Sequence, residues 1–486
     1  MATTRLEIVD EVNIRFHDLS PECRRKMSDS LKFYLPYARH LPAVKLGRWD
    51  GSMTYCDIGG RSYLNLLDKL LPIVQSYGYE IDIDDKRTND ITFEFESVDE
   101  NSYSHINWPA GHPLAGKPIV IKEHQVGVIN SYLENTTGVN IAPTGSGKTL
   151  ITAILSHKVQ EYGRSIVIVP TKDLVTQTEE DYINLGLDVG VFFGDRKEYG
   201  KTHTICTWQS LESLAKRSKE IDLEVDINSF FEGVVCVIVD EVHKAKADVL
   251  RKLLSTYLAH CPLRWGLTGT MPEEDGDKVG VVACIGPLLG EINTKELQDK
   301  GILAQLMVNV WQLQDLGEAA FDNYQSELKW LTTNAKRLKF LAQEAIKISA
   351  DGNTLILVDR VETGKILQSL IPDSIFISGA MKSKDRKEEY KEVQEVDGKV
   401  IIATYGVAST GINIVRIFNL VLFEAGKSFV RVIQSIGRGI RVAPDKDFVN
   451  VYDVCSNCKF SKRHLTKRKK FYTTAQYPYS IKKVNY

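Results

Sequence analysis

Residues 140 to 149 read NIAPTGSGKT, and how this stretch is read decides the fold. The apolar run VNIA leads into it and KTLITAILSHKVQEY leads out, the pattern of a strand, a glycine loop and a helix. In that setting Gly145 and Gly147 let backbone N–H groups close around phosphate oxygens. Lys148 reaches toward β and γ phosphates, Thr149 offers a hydroxyl to Mg²⁺, and Pro143, Thr144 and Ser146 complete the loop. Ala142 stands where such loops usually carry their first glycine.

The grammar around the loop repeats. VNIA, SIVIVP, HTICT, VVCVIVDE and LRWGLTG, between about 108 and 290, are short, β-branched and almost wholly apolar, as strands buried on both faces must be. Helical stretches such as ADVLRKLLSTYLAH separate them, which implies a parallel sheet with helices on both sides. After about residue 300 the alternation restarts with NTLILVD, SIFIS, KVIIATY, NLVLFEA and FVNVYDV, and ELQDKGILAQLMVNVWQLQ at 296–314 reads as the crossing. The expected chain is α/β with two tandem parallel-sheet domains, 106–296 and 297–456, and a basic tail at 457–486. A small α+β domain, 1–105, precedes them; within it EIDID and ITFEFE flank the polar turn DKRTND and read as a β-hairpin.

At 486 residues the chain is long enough for two to four domains, and its 43% hydrophobic and 26% charged residues are ordinary for a globular protein. A formal net charge of −2 announces no global affinity for nucleic acid, so any basic surface must be local. The opening MATTRLEIVDE lacks a signal pattern and the longest apolar runs are strand-sized, so a cytoplasmic protein with no membrane partner is expected, with a monomer as the working assumption. Of eight cysteines only Cys455 and Cys458, with His464 nearby, have metal-like spacing; a single CxxC without a second pair is weak evidence for zinc, and a turn near a strand end is the preferred reading.

VVCVIVDEVH ends a buried run with two carboxylates: Asp240 is placed to hold Mg²⁺ and Glu241 to orient and deprotonate an attacking water. The phosphate loop, DEVH, the Thr-Gly-Thr of GLTGTMP at 266–272 and Gln125 of IKEHQ together resemble the ordered motifs of superfamily 2 helicases and translocases. That resemblance implies ATP as fuel, two RecA-like domains, Gln125 as the adenine contact and nucleic acid as the track. QSIGRGIR at 434–441 resembles the sixth motif, in which Gln434, Arg438 and Arg441 point into the ATP cleft from the second domain. Taken alone, two arginines three apart would read equally well as a basic helix face on the surface. ATYGVASTGINI at 403–414 resembles the fifth motif, with Ser409, Thr410 and Gly411 at the turn between nucleotide and track, and ISGAMKSKDR resembles the segment in which Arg386 meets the track.

VPTKDLVTQ and TWQSL match the family's first-domain track segments, placing Thr171, Lys172, Trp208 and Gln209 near a phosphate backbone, although Trp208 reads more simply as a packed aromatic. KLGRWDGSMTYCD at 45–57 offers Lys45 and Arg48 to a duplex or junction, or is a hairpin packed by Trp49. KFSKRHLTKRKKF at 459–471 is basic throughout and suits phosphates or a solvated tail. GRWDG, the ATYGVASTGINI wording and the three-part order make the whole chain resemble phage recombination and repair helicases of the UvsW type. The resemblance implies remodelling of branched DNA, namely branch migration, fork regression and unwinding. An RNA helicase of the same superfamily, a restriction-type translocation subunit and a phosphate-loop protein that uses ATP only as a switch are the alternatives.

Overall fold

The computed structural model describes residues 2–35, 38–88, 91–110, 112, 114–218, 225–243, 248–315, 321–379, 381, 389, 393, 395–411, 416–426, 437 and 445–486, without the side chains of 248 and 409–411. Their packing falls into two compact units, residues 1–142 with 147–291, and residues 292–486 with 143–146. No described helix is long and apolar enough to cross a membrane.

In the first unit the amino-terminal strands β1 (Ala2–Ile8), β2 (Asn13–Phe16), β5 (Arg61–Tyr63) and β6 (Tyr79–Asp85) form a sheet in the order β5-β2-β1-β6, and β3 (Lys32–Tyr34) pairs separately with β4 (Ser52–Thr54). Leu6, Phe16, Met27, Leu66 and Leu70 fill the core behind them. The expected hairpin across DKRTND is not formed. β6 instead runs parallel to β1 along its whole length, and residues 91–99 carry no strand. The apolar side chains of ITFEFE have a better partner elsewhere: Phe93 and Phe95 pack on Tyr162, Phe95 meets Trp265, and the Tyr162 hydroxyl donates to Glu94 O at 2.7 Å.

The rest of the unit is an eight-stranded sheet. Its strands are β7 (Thr137–Ile141), β8 (Arg164–Val169), β9 (Val189–Phe193), β10 (Arg196–Lys197), β11 (His203–Thr207), β12 (Val234–Asp240), β13 (Leu263–Thr268) and β14 (Leu288–Glu291), in the order β10-β9-β11-β8-β12-β13-β7-β14. Every pairing is parallel except β9 with the short edge strand β10. β11, β12 and β13 are buried at every residue, which is why their sequences do not alternate. His203, at the start of β11, hydrogen-bonds Ser165 through Nδ1 at 2.8 Å, and burial pushes its pKa down to about 4.

The second unit is a seven-stranded, wholly parallel sheet of β15 (Gln305–Leu313), β16 (Thr354–Val358), β17 (Ile375–Ile377), β18 (Val400–Thr404), β19 (Asn419–Phe423), β20 (Phe448–Ser456) and β21 (Tyr479–Val484), in the order β17-β18-β16-β19-β20-β15-β21. Residues 457–486 are not a tail. They form the helix Lys459–Thr474 and the edge strand β21, because Leu465, Tyr472 and Tyr477 among the basic residues belong to the sheet's core. Arg468 is fully buried; two of its nitrogens meet Asp453 at 2.9 Å each, and a third donates to Gly426 O at 2.6 Å. At the helix start Glu327 accepts the N–H groups of Phe460 and Ser461 at 3.0 and 2.6 Å, a carboxylate where the helix dipole favours one. Nearby, buried Arg337 pairs with Asp315 at 3.3 Å and Glu424 at 2.7 Å.

Two outcomes are expected. Arg468→Ala removes the buried counter-ion of Asp453 and leaves it the Tyr472 hydroxyl at 2.9 Å, so the chemical-unfolding free energy of the second unit falls by about 3–5 kcal/mol; protection of amides 459–474 from hydrogen exchange is lost in parallel. His203 has its folded pKa below the ordinary 6.5, so its contribution to stability is complete above that pH and is lost as pH falls from 6.5 toward about 4. The melting temperature of His203→Gln therefore declines less steeply than wild type over that window.

Candidate active site and nucleic-acid groove

Strand order places the carboxyl ends of β12, β13 and β7 side by side, and each end carries one of the motifs. The loop after β7 begins with Ala142 N donating to Thr268 O, at the end of β13, at 2.7 Å. Gly145 and Gly147 have φ of +89° and +83°, where a side chain is strained, and a Cβ on Gly147 would lie 2.2 Å from Gln125 Nε2. Ala142 is buried without positive φ, so a methyl there costs no backbone strain. The helix Lys148–Val159 starts directly from Gly147, aiming its first N–H groups at the loop. Lys148 Nζ donates to Ala142 O at 3.2 Å and lies 3.7 Å from Glu241 Oε1. These residues fit a nucleotide's phosphates: a glycine cradle that a Cβ would fill, a helix start and an ammonium in one place.

Gln125 is buried rather than on an open helix face. Its Oε1 accepts from Lys122 N at 2.9 Å, capping the start of the helix Glu123–Leu133, while its amide nitrogen lies against the phosphate loop.

Asp240 closes β12 and is buried; burial first, and then the charge of Glu241, pushes its pKa up. Its Oδ1 accepts from Glu241 N at 2.9 Å. Glu241 has φ of +54°, a region that non-glycine residues rarely occupy and that is associated with functional positions. In that turn Oε1 faces Lys148, and Oε2 sits 3.3 Å from His243 Nδ1. His243 Nδ1 is in turn 2.8 Å from Thr268 Oγ1. The Thr268 hydroxyl oxygen also lies 2.8 Å from Thr270 O, to which it can donate. Thr270 N also donates to Thr268 Oγ1, at 3.3 Å. Lys148, Glu241, His243 and Thr268 thus form a continuous polar line from the phosphate loop to the Thr-Gly-Thr turn.

Asp181 lies near the Thr149 hydroxyl; burial pushes its carboxyl pKa up, and that hydroxyl acts in the opposite direction. The Thr149 hydroxyl and the Asp240 carboxylate are oxygen donors of the kind Mg²⁺ takes. Among the described residues no group of three or more His, Cys, Asp or Glu could hold a metal by itself.

Three of the four first-domain residues expected to meet the track come together. Thr171 caps the helix Lys172–Asn184 and Thr207 caps the helix Trp208–Arg217. Both helix starts open on a groove of about 410 Å³ that Lys172, Gln209, Lys197 and Arg217 help to line, with no carboxylate among its lining residues. Trp208 packs against the core of the sheet. Lys45 and Arg48 are exposed in the amino-terminal part, beside Trp49, whose Nε1 donates to Ser52 O at 2.7 Å.

Gln434, Arg438, Arg441 and Arg386 lie outside the described residues. Ser409 and Gly411 end the helix Tyr405–Gly411 after β18, and their side chains lie outside as well. Cys455 is buried in β20 and Cys458 caps the helix Lys459–Thr474 across a short turn, while His464 packs edge-on against Tyr324. Sequence reasoning missed the roles of His243 and Thr268, although it quoted both motifs, and it missed Asp181, Lys197 and Arg217.

Comparison with known proteins places these features. The family described as "Type III restriction enzyme, res subunit" matches residues 118–273, and "Helicase conserved C-terminal domain" matches 336–443. The chain is 25% identical over 488 residues to the ATP-dependent DNA helicase uvsW of Enterobacteria phage T4, covering 95% of this chain and 94% of that one. It is 31% identical to the XPB helicase/translocase subunit of general transcription and DNA repair factor IIH from Enterocytozoon bieneusi, over 46% of this chain and 39% of that protein. In fold it resembles S. cerevisiae Dbp5 bound to RNA and ADP BeF3, with a TM-score of 0.52 at 17% identity, covering 75% of this chain and 90% of that one.

The polar line makes a specific demand. Thr268→Val keeps the shape and removes the hydroxyl, so steady-state ATP turnover falls at least about tenfold, worth ~1.4 kcal/mol in the barrier, with little change in KM for ATP. Lys148→Ala, by contrast, weakens nucleotide binding, by about tenfold or more in equilibrium titration.

Proposed function

We propose that this chain, which carries both motor domains of the superfamily 2 helicases and is an ATP hydrolase, spends ATP to move on DNA and remodel branched duplexes by branch migration, fork regression and unwinding. The observation that carries the reading is the groove at the two helix starts: a carboxylate-free, three-cation surface in the same unit as Lys148, Asp240 and Glu241. Helix N-termini and cations bind phosphates without regard to base, which is what a motor that repeats its step requires. Thr171, Lys172 and Gln209 belong to this grip, with Arg386 and Ser409 supplying the second domain's part. The match along almost all of a phage DNA helicase supports DNA as the track, and exposed Lys45 and Arg48 suit a duplex arm at a branch.

In this reading Gln125 faces the adenine, while Pro143–Thr149 hold the phosphates. Thr149 and Asp240 hold Mg²⁺, which when bound neutralises phosphate charge. Glu241 takes the proton of the attacking water, with His243 and Thr268 fixing its carboxylate. Gln434, Arg438 and Arg441 complete the site from the second domain, with Gly411 at the coupling turn; hydrolysis and reopening then shift one grip relative to the other. Residues 1–105 act as a branch-reading accessory region.

Strand displacement measured on forked DNA, four-way junctions and matched RNA duplexes tests this directly. Branched DNA is unwound or migrated with ATP; activity confined to RNA would overturn the DNA assignment, and nucleotide binding without turnover would overturn the motor. Replacing Lys172, Lys197 or Arg217 with alanine lowers DNA affinity irrespective of sequence and reduces the slope of log affinity against log salt by about one each.

A further inference from the structure

Tyr55 is buried in the amino-terminal core, yet its hydroxyl leaves that core to donate to Gly276 O at 2.8 Å. Gly276 opens a helix, Asp275–Cys284, that begins five residues after Thr270 of the Thr-Gly-Thr turn. Its two glycines lie four apart, on one face, and both are occupied from the amino-terminal side. A Cβ on Gly276 would come within 2.8 Å of Phe33 Cβ, and one on Gly280 within 2.5 Å of the Tyr55 hydroxyl. Val279 and Ala283 of the same helix are members of the amino-terminal core. The guanidinium of Arg251, in the helix Asp248–Lys252 that follows the Asp240–His243 segment, sits 5.8 Å from the centre of the Tyr55 ring. Beyond that helix, Asn13 Nδ2 donates to Ser255 O at 2.9 Å and Glu11 N to Ala259 O at 3.1 Å.

Both segments of the polar line, Glu241–His243 and Thr268–Thr270, therefore run on into helices held by the amino-terminal strands. The holding residues are the base of one device: Phe33 lies in β3, Tyr55 directly follows β4, and the span between those strands carries Lys45 and Arg48. Lys45 and Arg48 thus lie between two paired strands whose ends touch a helix that begins five residues after Thr270. All of these residues belong to one compact unit.

We propose that Tyr55 is a positioning residue that couples nucleic acid held at the β3–β4 span to ATP hydrolysis, acting through the helix Asp275–Cys284 on Thr268, His243 and Glu241. This rests on the reading of Lys45 and Arg48 as a DNA contact. It makes the amino-terminal region part of the motor's trigger rather than a separately tethered clamp, which would need no buried hydroxyl bonded to this helix.

The test compares wild type, Tyr55→Phe and Ser62→Ala in the full chain. Ser62 Oγ donates to Tyr55 O at 2.8 Å, so its loss weakens the same core without removing the bond to Gly276. ATP turnover is measured without DNA and with saturating forked DNA, together with fork affinity and melting temperature. For Tyr55→Phe the ratio of fork-stimulated to basal kcat falls at least threefold, while basal kcat, KM for ATP and fork affinity stay within twofold; Ser62→Ala keeps the wild-type ratio. An unchanged ratio for Tyr55→Phe overturns the proposal, as does an equal loss in Ser62→Ala, which would make the effect one of stability. If forks fail to stimulate the wild type, the DNA reading itself falls, an outcome distinct from a stimulated but Tyr55-indifferent enzyme. Should Tyr55→Phe not fold, Gly280→Ala, which crowds the same hydroxyl, is held to the same ratio.

Discussion

Three parallel strands buried on both faces stand side by side in the first sheet, and the chemistry follows from where they stop. β7 ends in the phosphate loop, β12 in two carboxylates and β13 in the Thr-Gly-Thr turn, and the order β12-β13-β7 leaves no intervening strand. Parallel strands deliver all their carboxyl ends to one edge, where helix starts also gather, so phosphate binding and carboxylate chemistry share a site as a consequence of topology. The positive φ of Glu241 is the local cost of turning a side chain from the end of a strand back toward Lys148.

The second unit shows how charge is tolerated in a sheet core. Arg468 and Arg337 are each met by carboxylates, and Arg468 adds a carbonyl. Such pairs add little net stability against apolar packing, but loss of one partner is expensive, and they fix how the helix Lys459–Thr474 meets β20. Arg468 also holds the carbonyl of Gly426, eight residues before Gln434 in the sequence.

The central strands were legible in the sequence because burial on both faces forces continuous apolar runs, and the phosphate loop was legible because its glycines answer to a local backbone demand. Four kinds of feature were not. Alternation in EIDID and ITFEFE is real, but alternation does not name a partner, and β6 paired with β1 while the phenylalanines went to Tyr162. The basic composition at 459–471 hid Leu465 and Arg468, which face the core. His243 and Thr268 are 25 residues apart and meet only because β12 and β13 are neighbours, and Thr149 and Asp181 come together where their two helices pack. The groove gathers Lys197 and Arg217 from separate elements, which no local pattern announces.

The account stands on Glu241 being the group that activates water within an otherwise complete nucleotide site. Single-turnover hydrolysis of ATP on forked DNA by Glu241→Gln, read beside its ATP affinity, addresses that most directly. The prediction is affinity within a fewfold of wild type and a hydrolysis rate lowered by about 10² or more, the usual worth of a positioned general base. Wild-type hydrolysis by this variant would contradict the account.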